Sequence, residues 1–278
     1  MRQPIIRFIA CALVGVAGCA TLGRGGGAAP GVVAGGPVLQ RIVARGELLV
    51  GTTGTQPPLN ATTTSGEIIG LEIDLAEAMA EALGVTLKLV TMPFADLLPT
   101  LERGQVDIVL SGVTMTPERN TRVAFVGPYF VSGKALLTKS KRVAATRDFG
   151  EIDKPDITVA ALEGSTSQEF AQRATPKAKL VLVKGYDEGV RMIVDGSVDA
   201  LIADFTFCIA AILRHPGAKL ATLVAPLTFE PLGIALPAGD PLLVNWMENF
   251  LLALEGTGAM DDLRARWFDD GSWAAQLQ

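Results

Sequence analysis

The chain has 278 residues, enough for one large domain or for two smaller ones with separate cores. A formal net charge of −5, with no Lys/Arg run interleaved with aromatics, excludes a nucleic-acid binder. Catalytic sets are missing too: the one histidine, His215, sits in an Arg-His-Pro-Gly surface turn, and no zinc spacing, phosphate loop or nucleophile elbow is present, so no metal and no cofactor is expected.

At the amino end, Arg2 and Arg7 precede an apolar run over 8–17 that is too short to span a bilayer. The run ends in Val16-Ala17-Gly18-Cys19, which resembles the lipobox of bacterial lipoproteins. Small residues before the cysteine fit a narrow peptidase pocket, and the thiol is then available for acylation. Residues 1–18 read as a signal peptide, with Cys19 as the lipid anchor; an ordinary cleaved signal with an incidental cysteine is the alternative. Residues 19–37 are rich in Gly, Ala and Pro and read as a flexible tether. Cys11 leaves with the signal, so Cys208 is alone in the body and forms no internal disulfide. Its apolar surroundings mark it as a buried hydrophobe rather than a nucleophile.

From Val38 onward the periodicity alternates. Residues 47–53 read as a strand, and 72–83 as a helix with Ile73, Ala76, Met79, Ala80 and Leu83 on one face, stopped by Gly84. A strand over 85–91, a helix over 96–103 and a strand over 106–110 follow. Alternation of this kind predicts α/β architecture with largely parallel sheets flanked by helices. The stretch 101–112 lines up with 193–204 at an offset of 92, sharing the Gly, Val and Asp of a helix–turn–strand pattern, which points to two similarly built lobes. The tail is helical: Asp240-Pro241 caps a helix with a stripe of Leu243, Trp246, Phe250 and Leu254 that ends at Gly256, and a shorter helix spans 260–268.

Ligands of open α/β sheets sit beyond the carboxyl ends of strands, which singles out 111–114 and Asp204. In Ser111-Gly-Val-Thr-Met-Thr-Pro-Glu-Arg119, Thr116 reads as the N-cap of a helix with Pro117 in its first position. A cation there is disfavoured by the helix dipole, so Arg119 either meets an anion or pairs with Glu118 or solvent. Gly164-Ser-Thr-Ser-Gln-Glu169 reads as a second helix start, with Thr166 and Glu169 as a capping box. Asp204 ends an apolar strand as a lone carboxylate, which demands either an ammonium ligand or a lysine of the protein. Arg119 and Asp204 together match a zwitterion.

Over about 39–273 the chain resembles the family 3 solute-binding proteins, the polar amino-acid binders of ABC transporters. The residues that carry the resemblance are Val50-Gly-Thr-Thr, Gly70-Leu-Glu-Ile-Asp-Leu75, Phe94 with Leu97-Leu-Pro99, and Gly104-Gln-Val-Asp107. Ser111 to Arg119, Phe125-Val-Gly-Pro-Tyr129, Gly164-Ser-Thr166, Val198-Asp-Ala200 and Asp204 continue it. The resemblance implies a two-lobed type II periplasmic-binding-protein fold with two crossing hinge strands. Lobe I would be 38–132 plus 229–278, lobe II 133–228, and the hinges would lie near 131–134 and 227–232. It implies that Arg119 clamps the ligand α-carboxylate with help from Gly112, Thr114 and Thr166, and that Asp204 holds the α-amine with Ser111 and Thr114. Phe94 would pack on the ligand side chain. It also implies an ABC permease as partner for a monomeric protein on the extracytoplasmic side.

The chain departs from the family where an aromatic is usual, at Gln56, and where basic-ligand binders carry an acid, at Thr53; Leu71-Glu72 replaces a Phe-Asp pair. These departures argue against an Arg- or Lys-type ligand. Cyclohexadienyl dehydratases resemble the same family and share a Thr-Thr-Gly like Thr52-Thr53-Gly54, but they carry a glutamate where this chain has Phe207, leaving Glu230 as the candidate acid. A ligand-sensing lipoprotein is the third reading.

Overall fold

A computed structural model describes residues 37–145 and 149–277. The signal, Cys19 and nearly all of the tether lie outside them. The first half runs α1 (Val38–Arg45), β1 (Glu47–Thr52), β2 (Thr55–Gln56), β3 (Asn60–Thr62), β4 (Ile68–Ile69), α2 (Leu71–Leu83), β5 (Thr86–Thr91), α3 (Phe94–Glu102), β6 (Ile108–Val109) and β7 (Val123–Ser132). Next come β8 (Lys134–Thr138), α4 (Lys141–Ala144), β9 (Thr158–Leu162), α5 (Thr166–Ala174), β10 (Lys179–Val183), α6 (Tyr186–Asp195), β11 (Ala200–Asp204), α7 (Phe205–Arg214) and β12 (Ala221–Thr222). The chain ends with β13 (Glu230–Pro237), α8 (Pro241–Thr257) and α9 (Ala259–Arg264).

Two five-stranded sheets result, in the orders β5-β1-β6-β13-β7 and β10-β9-β11-β8-β12. In each, three parallel strands are followed by antiparallel partners. The chain passes between the sheets at Gly133 and again between Thr222 and Glu230. The repeat seen in the sequence has a common structural cause. Asp107 accepts the Leu49 N–H at 2.8 Å and pairs with Arg45, while Asp199 accepts the Thr158 N–H at 2.8 Å. Each aspartate ties the turn before one parallel strand to the strand beside it.

One face of the first sheet packs Leu48, Val50 and Ile108 against Leu71, Leu75 and Met79 of α2 and Leu243 and Met247 of α8. In the second sheet, Leu136, Ala160 and Leu201 meet Val190, Ile193 and Phe207. Full burial of each Leu, Ile or Phe contributes about 1.5–3 kcal/mol. Cys208 is fully buried among these, and burial pushes its thiol pKa up to about 12, as expected of a hydrophobe.

Local differences from the sequence reading have local reasons. Residues 116–121 form a turn and a three-residue 3-10 helix (Arg119–Thr121), with the Thr116 hydroxyl accepting the Arg119 N–H at 3.2 Å, rather than a true helix. Ser165, not Thr166, caps α5, accepting from the Gln168 N–H at 3.3 Å. Helix α8 continues past Gly256 to the left-handed Gly258. Helix α9 stops at Arg264 and passes into a π-helical turn over Ala265–Asp269. Helix α1, which buries Val38 and Ile42 one turn apart, was not read from the sequence, and the strands of the small sheet β2-β3-β4 are only two or three residues long, too short to show alternation.

Candidate functional site

The carboxyl ends of β1 and β6 lie side by side, so Thr53 and Ser111 meet just beyond them. The Ser111 hydroxyl accepts the Thr53 N–H at 3.0 Å, and the Thr53 side chain donates to Asn60 Oδ1 at 2.9 Å. Gln56 is buried and donates to the Ser111 carbonyl at 3.1 Å. Its amide therefore braces the Ser111 turn. Beneath lies Glu72, fully buried, which accepts from the Gly112 N–H at 2.6 Å, from Asn60 Nδ2 at 2.6 Å and from the Tyr129 hydroxyl. Burial raises the Glu72 pKa above the ordinary carboxylate value, against the lowering effect of these three donors. The glutamate of the Leu71-Glu72 pair thus fixes the backbone at Gly112.

Thr114 is pinned in the same way. Met115 donates to the Pro231 carbonyl at 2.8 Å and Gly233 to the Val113 carbonyl at 3.0 Å, so this segment forms an antiparallel bridge to the start of β13. Beyond it the Arg119 guanidinium reaches back to the Thr114 carbonyl at 2.9 Å and across to the Gly164 carbonyl at 3.2 Å. It lies 5.8 Å from the ring centre of Phe94. Burial pulls its pKa below the usual guanidinium value, while Glu169, Glu230 and Asp204 push the other way. Among the described residues no carboxylate forms an ion pair with Arg119. The facing lobe is close: Gly164 has φ +72°, and a Cβ there would come within 3.0 Å of Ala95.

On the second sheet, Asp204 ends β11 directly opposite Lys134 of β8. The Lys134 ammonium donates to Asp204 Oδ1 at 2.7 Å and lies 3.5 Å from Glu230 Oε2. Lys134 is 1 % exposed. Lys134 is thus a lysine partner of the kind the sequence left open for Asp204. Thr166 Oγ1 donates to Glu230 Oε2 at 3.1 Å and lies 3.3 Å from Thr114 Oγ1, while Thr228 donates to Glu230 Oε1 at 3.0 Å. Among the described residues, the other oxygen of Asp204 receives only a long bond, 3.5 Å, from the Tyr186 hydroxyl, which also meets Ser167 Oγ at 3.3 Å. Burial works to raise the Glu230 pKa, but Lys134 and the Thr114, Thr228 and Thr166 hydroxyls outweigh it and hold it below the usual value.

The structure thus brings Thr53, Gln56 and Ser111 into one bonded set that reaches Gly112 through Asn60 and Glu72, and places Thr114, Arg119 and Phe94 beside Thr166, Gly164, Asp204 and Glu230. Sequence reasoning missed Lys134, Asn60, Ser167 and Tyr186. The available signal for Lys134 was its place as the one charge opening an otherwise apolar strand.

The model of the bacterial extracellular solute-binding proteins, family 3, matches residues 48–270. The chain belongs to that family. Among curated relatives, this family 3 protein is similar to a cyclohexadienyl dehydratase of Pseudomonas aeruginosa, 27% identical over 83% of this chain and 86% of the relative. It is also similar to ABC transporter arginine-binding protein 1 of Escherichia coli, 26% identical over 78% and 89%. A solved binding component of an ABC transporter from Wolinella succinogenes, complexed with lysine, is 37% identical over 83% of this chain and 99% of that one, with a TM-score of 0.79. The family 3 protein has the type II periplasmic-binding fold: two lobes, each a mixed sheet flanked by helices, joined by two crossing segments.

Proposed function

We propose that this protein binds a small amino-acid-like carboxylate in the cleft between its lobes on the extracytoplasmic side and hands it to the permease of an ABC importer. The observation that carries this reading is Arg119. Its guanidinium sits between the lobes, spends two of its five N–H donors on carbonyl oxygens, and has no ion-pair partner among the described residues. A ligand carboxylate supplies that partner, with the Gly112, Thr114 and Thr166 positions beside it. Lobe I comprises 38–132 and 229–278, and lobe II 133–228. The crossings near 131–134 and 227–232 act as hinges, where a Cβ on Gly133 would strike the Thr228 carbonyl at 2.1 Å. Arg119→Ala should weaken binding by about 2–4 kcal/mol, because it removes one partner of a desolvated ion pair. Calorimetry with the wild-type ligand checks this, and an unchanged affinity would refute the carboxylate assignment.

Two observations favour binding over dehydration. Phe207 fills the position where the dehydratase resemblance calls for a glutamate; it is buried and stacked 4.4 Å from the Tyr186 ring. Glu230, the other acid, is held ionised by Lys134, which suits a structural anion rather than a proton donor. The protein is proposed to act as a monomer held at the membrane by acyl chains on Cys19. Cys19→Ser should release it from the membrane fraction of expressing cells, and a variant that still sediments with membranes would refute the anchor.

A further inference from the structure

Resting on the reading of Arg119 as a carboxylate clamp, we infer that Lys134 fills the ammonium position of the cleft, so that the ligand carries oxygen rather than ammonium on the carbon beside its carboxylate: it is a hydroxy or oxo acid. An ammonium ligand needs about three acceptors at hydrogen-bond distance. Glu230 has little to offer, because Lys134, Thr114, Thr166 and Thr228 already surround its two oxygens, four groups for about four lone-pair sites. Asp204 Oδ1 already accepts from Lys134 at 2.7 Å, so a ligand ammonium would have to share this one carboxylate with the lysine, chiefly at Oδ2, which has a long bond from Tyr186. A ligand ammonium at that oxygen would also stand beside the buried Lys134 ammonium, donor facing donor and charge facing like charge.

A ligand oxygen suits the same atoms. The Lys134 ammonium has three N–H donors, and the structure gives it one short and one long partner. A hydroxyl or carbonyl oxygen accepts from the remaining donor, and a hydroxyl can in turn donate to Asp204 Oδ2. Lys134 is locked in place to do this. It is 1 % exposed and lies in register opposite Asp204 in a fully buried strand.

The test is calorimetry on the purified protein with matched triads: alanine, lactate and pyruvate; phenylalanine, phenyllactate and phenylpyruvate; glutamate with its hydroxy and oxo counterparts. In the triad that binds, an oxygen-bearing member should bind about tenfold or more tightly than the amino acid, because a mispaired buried polar group is strongly rejected. Lys134→Met should reverse the order by freeing Asp204 for the ammonium, with melting curves establishing that the variant is folded. If it does not fold, the wild-type ranking decides alone. An amino acid that binds most tightly, with Arg119→Ala abolishing that binding, overturns this inference and leaves the proposed function standing. If no member of any triad binds, the carboxylate clamp itself is refuted, and this inference falls with it.

Discussion

Glu72→Ala is expected to lower the stability of the fold by about 3–5 kcal/mol, because three buried donors lose their acceptor and each such loss costs about 1–3 kcal/mol. The donors are the Gly112 N–H, Asn60 Nδ2 and the Tyr129 hydroxyl, and both Asn60 and Tyr129 are fully buried. Glu72→Gln keeps an amide oxygen and should cost less than half as much. Because burial raises the Glu72 pKa, ionisation of this group opposes folding, and neutral glutamine removes that opposition. Urea titration of the two variants measures the difference. A cost for alanine below about 1 kcal/mol would show that Glu72 does not hold the Gly112 turn.

Lys134→Ala should cost a similar amount, about 3–5 kcal/mol, for an electrostatic reason: it strands two buried carboxylates without their shared cation. Asp204 and Glu230 are 6% and 8% exposed, so water cannot readily replace the ammonium. Adding Asp204→Asn to Lys134→Met should recover part of the loss, which a role limited to aliphatic packing would not permit. The pH dependence carries a sign that checks the same cluster. An acid whose folded pKa is depressed gives stability above its ordinary value of 4.5, and loses it as the pH falls through the folded value. The melting temperature of the wild type should therefore fall in that acid range. The slope should be shallower in Lys134→Met, since Lys134 is the largest influence depressing the Glu230 pKa.

Elements built on local periodicity were legible in the chain. Helix α2 showed its Gly84 stop and four of its buried residues, Ile73, Ala76, Met79 and Ala80, while Leu71 and Leu75 lay outside the expected stripe; β1, β5 and α3 lie within a residue or two of the expected places. Asp204 was legible as a carboxylate in need of a partner, because an apolar strand led into it. The partner was not legible. Lys134 stands 70 residues away and arrives only through the antiparallel pairing of β8 with β11. The cap of α5 was ambiguous for a simpler reason, since Ser165, Thr166 and Ser167 all have capping chemistry and only the backbone decides among them. Once Ser165 takes the cap, Thr166 is released to meet Glu230. Gln56 and Glu72, read as departures from the family pattern, brace the backbone at Ser111 and Gly112.

The position of β13 bears on how the molecule is assembled. It lies between β6 and β7, in the interior of the first sheet, yet it is made after every strand of the second. A ribosome or export channel releasing the chain from its amino end delivers β1, β5, β6 and β7 long before the strand that joins β6 to β7. The second sheet, drawn from one continuous segment, has all of its strands in hand while the first still exposes an open seam. Contacts across such a sequence separation form slowly, and an unfilled strand position recruits other chains. The carboxyl-terminal segment is therefore the closing piece of the amino-terminal lobe, and truncations that remove it should yield aggregates in which the second lobe alone is ordered.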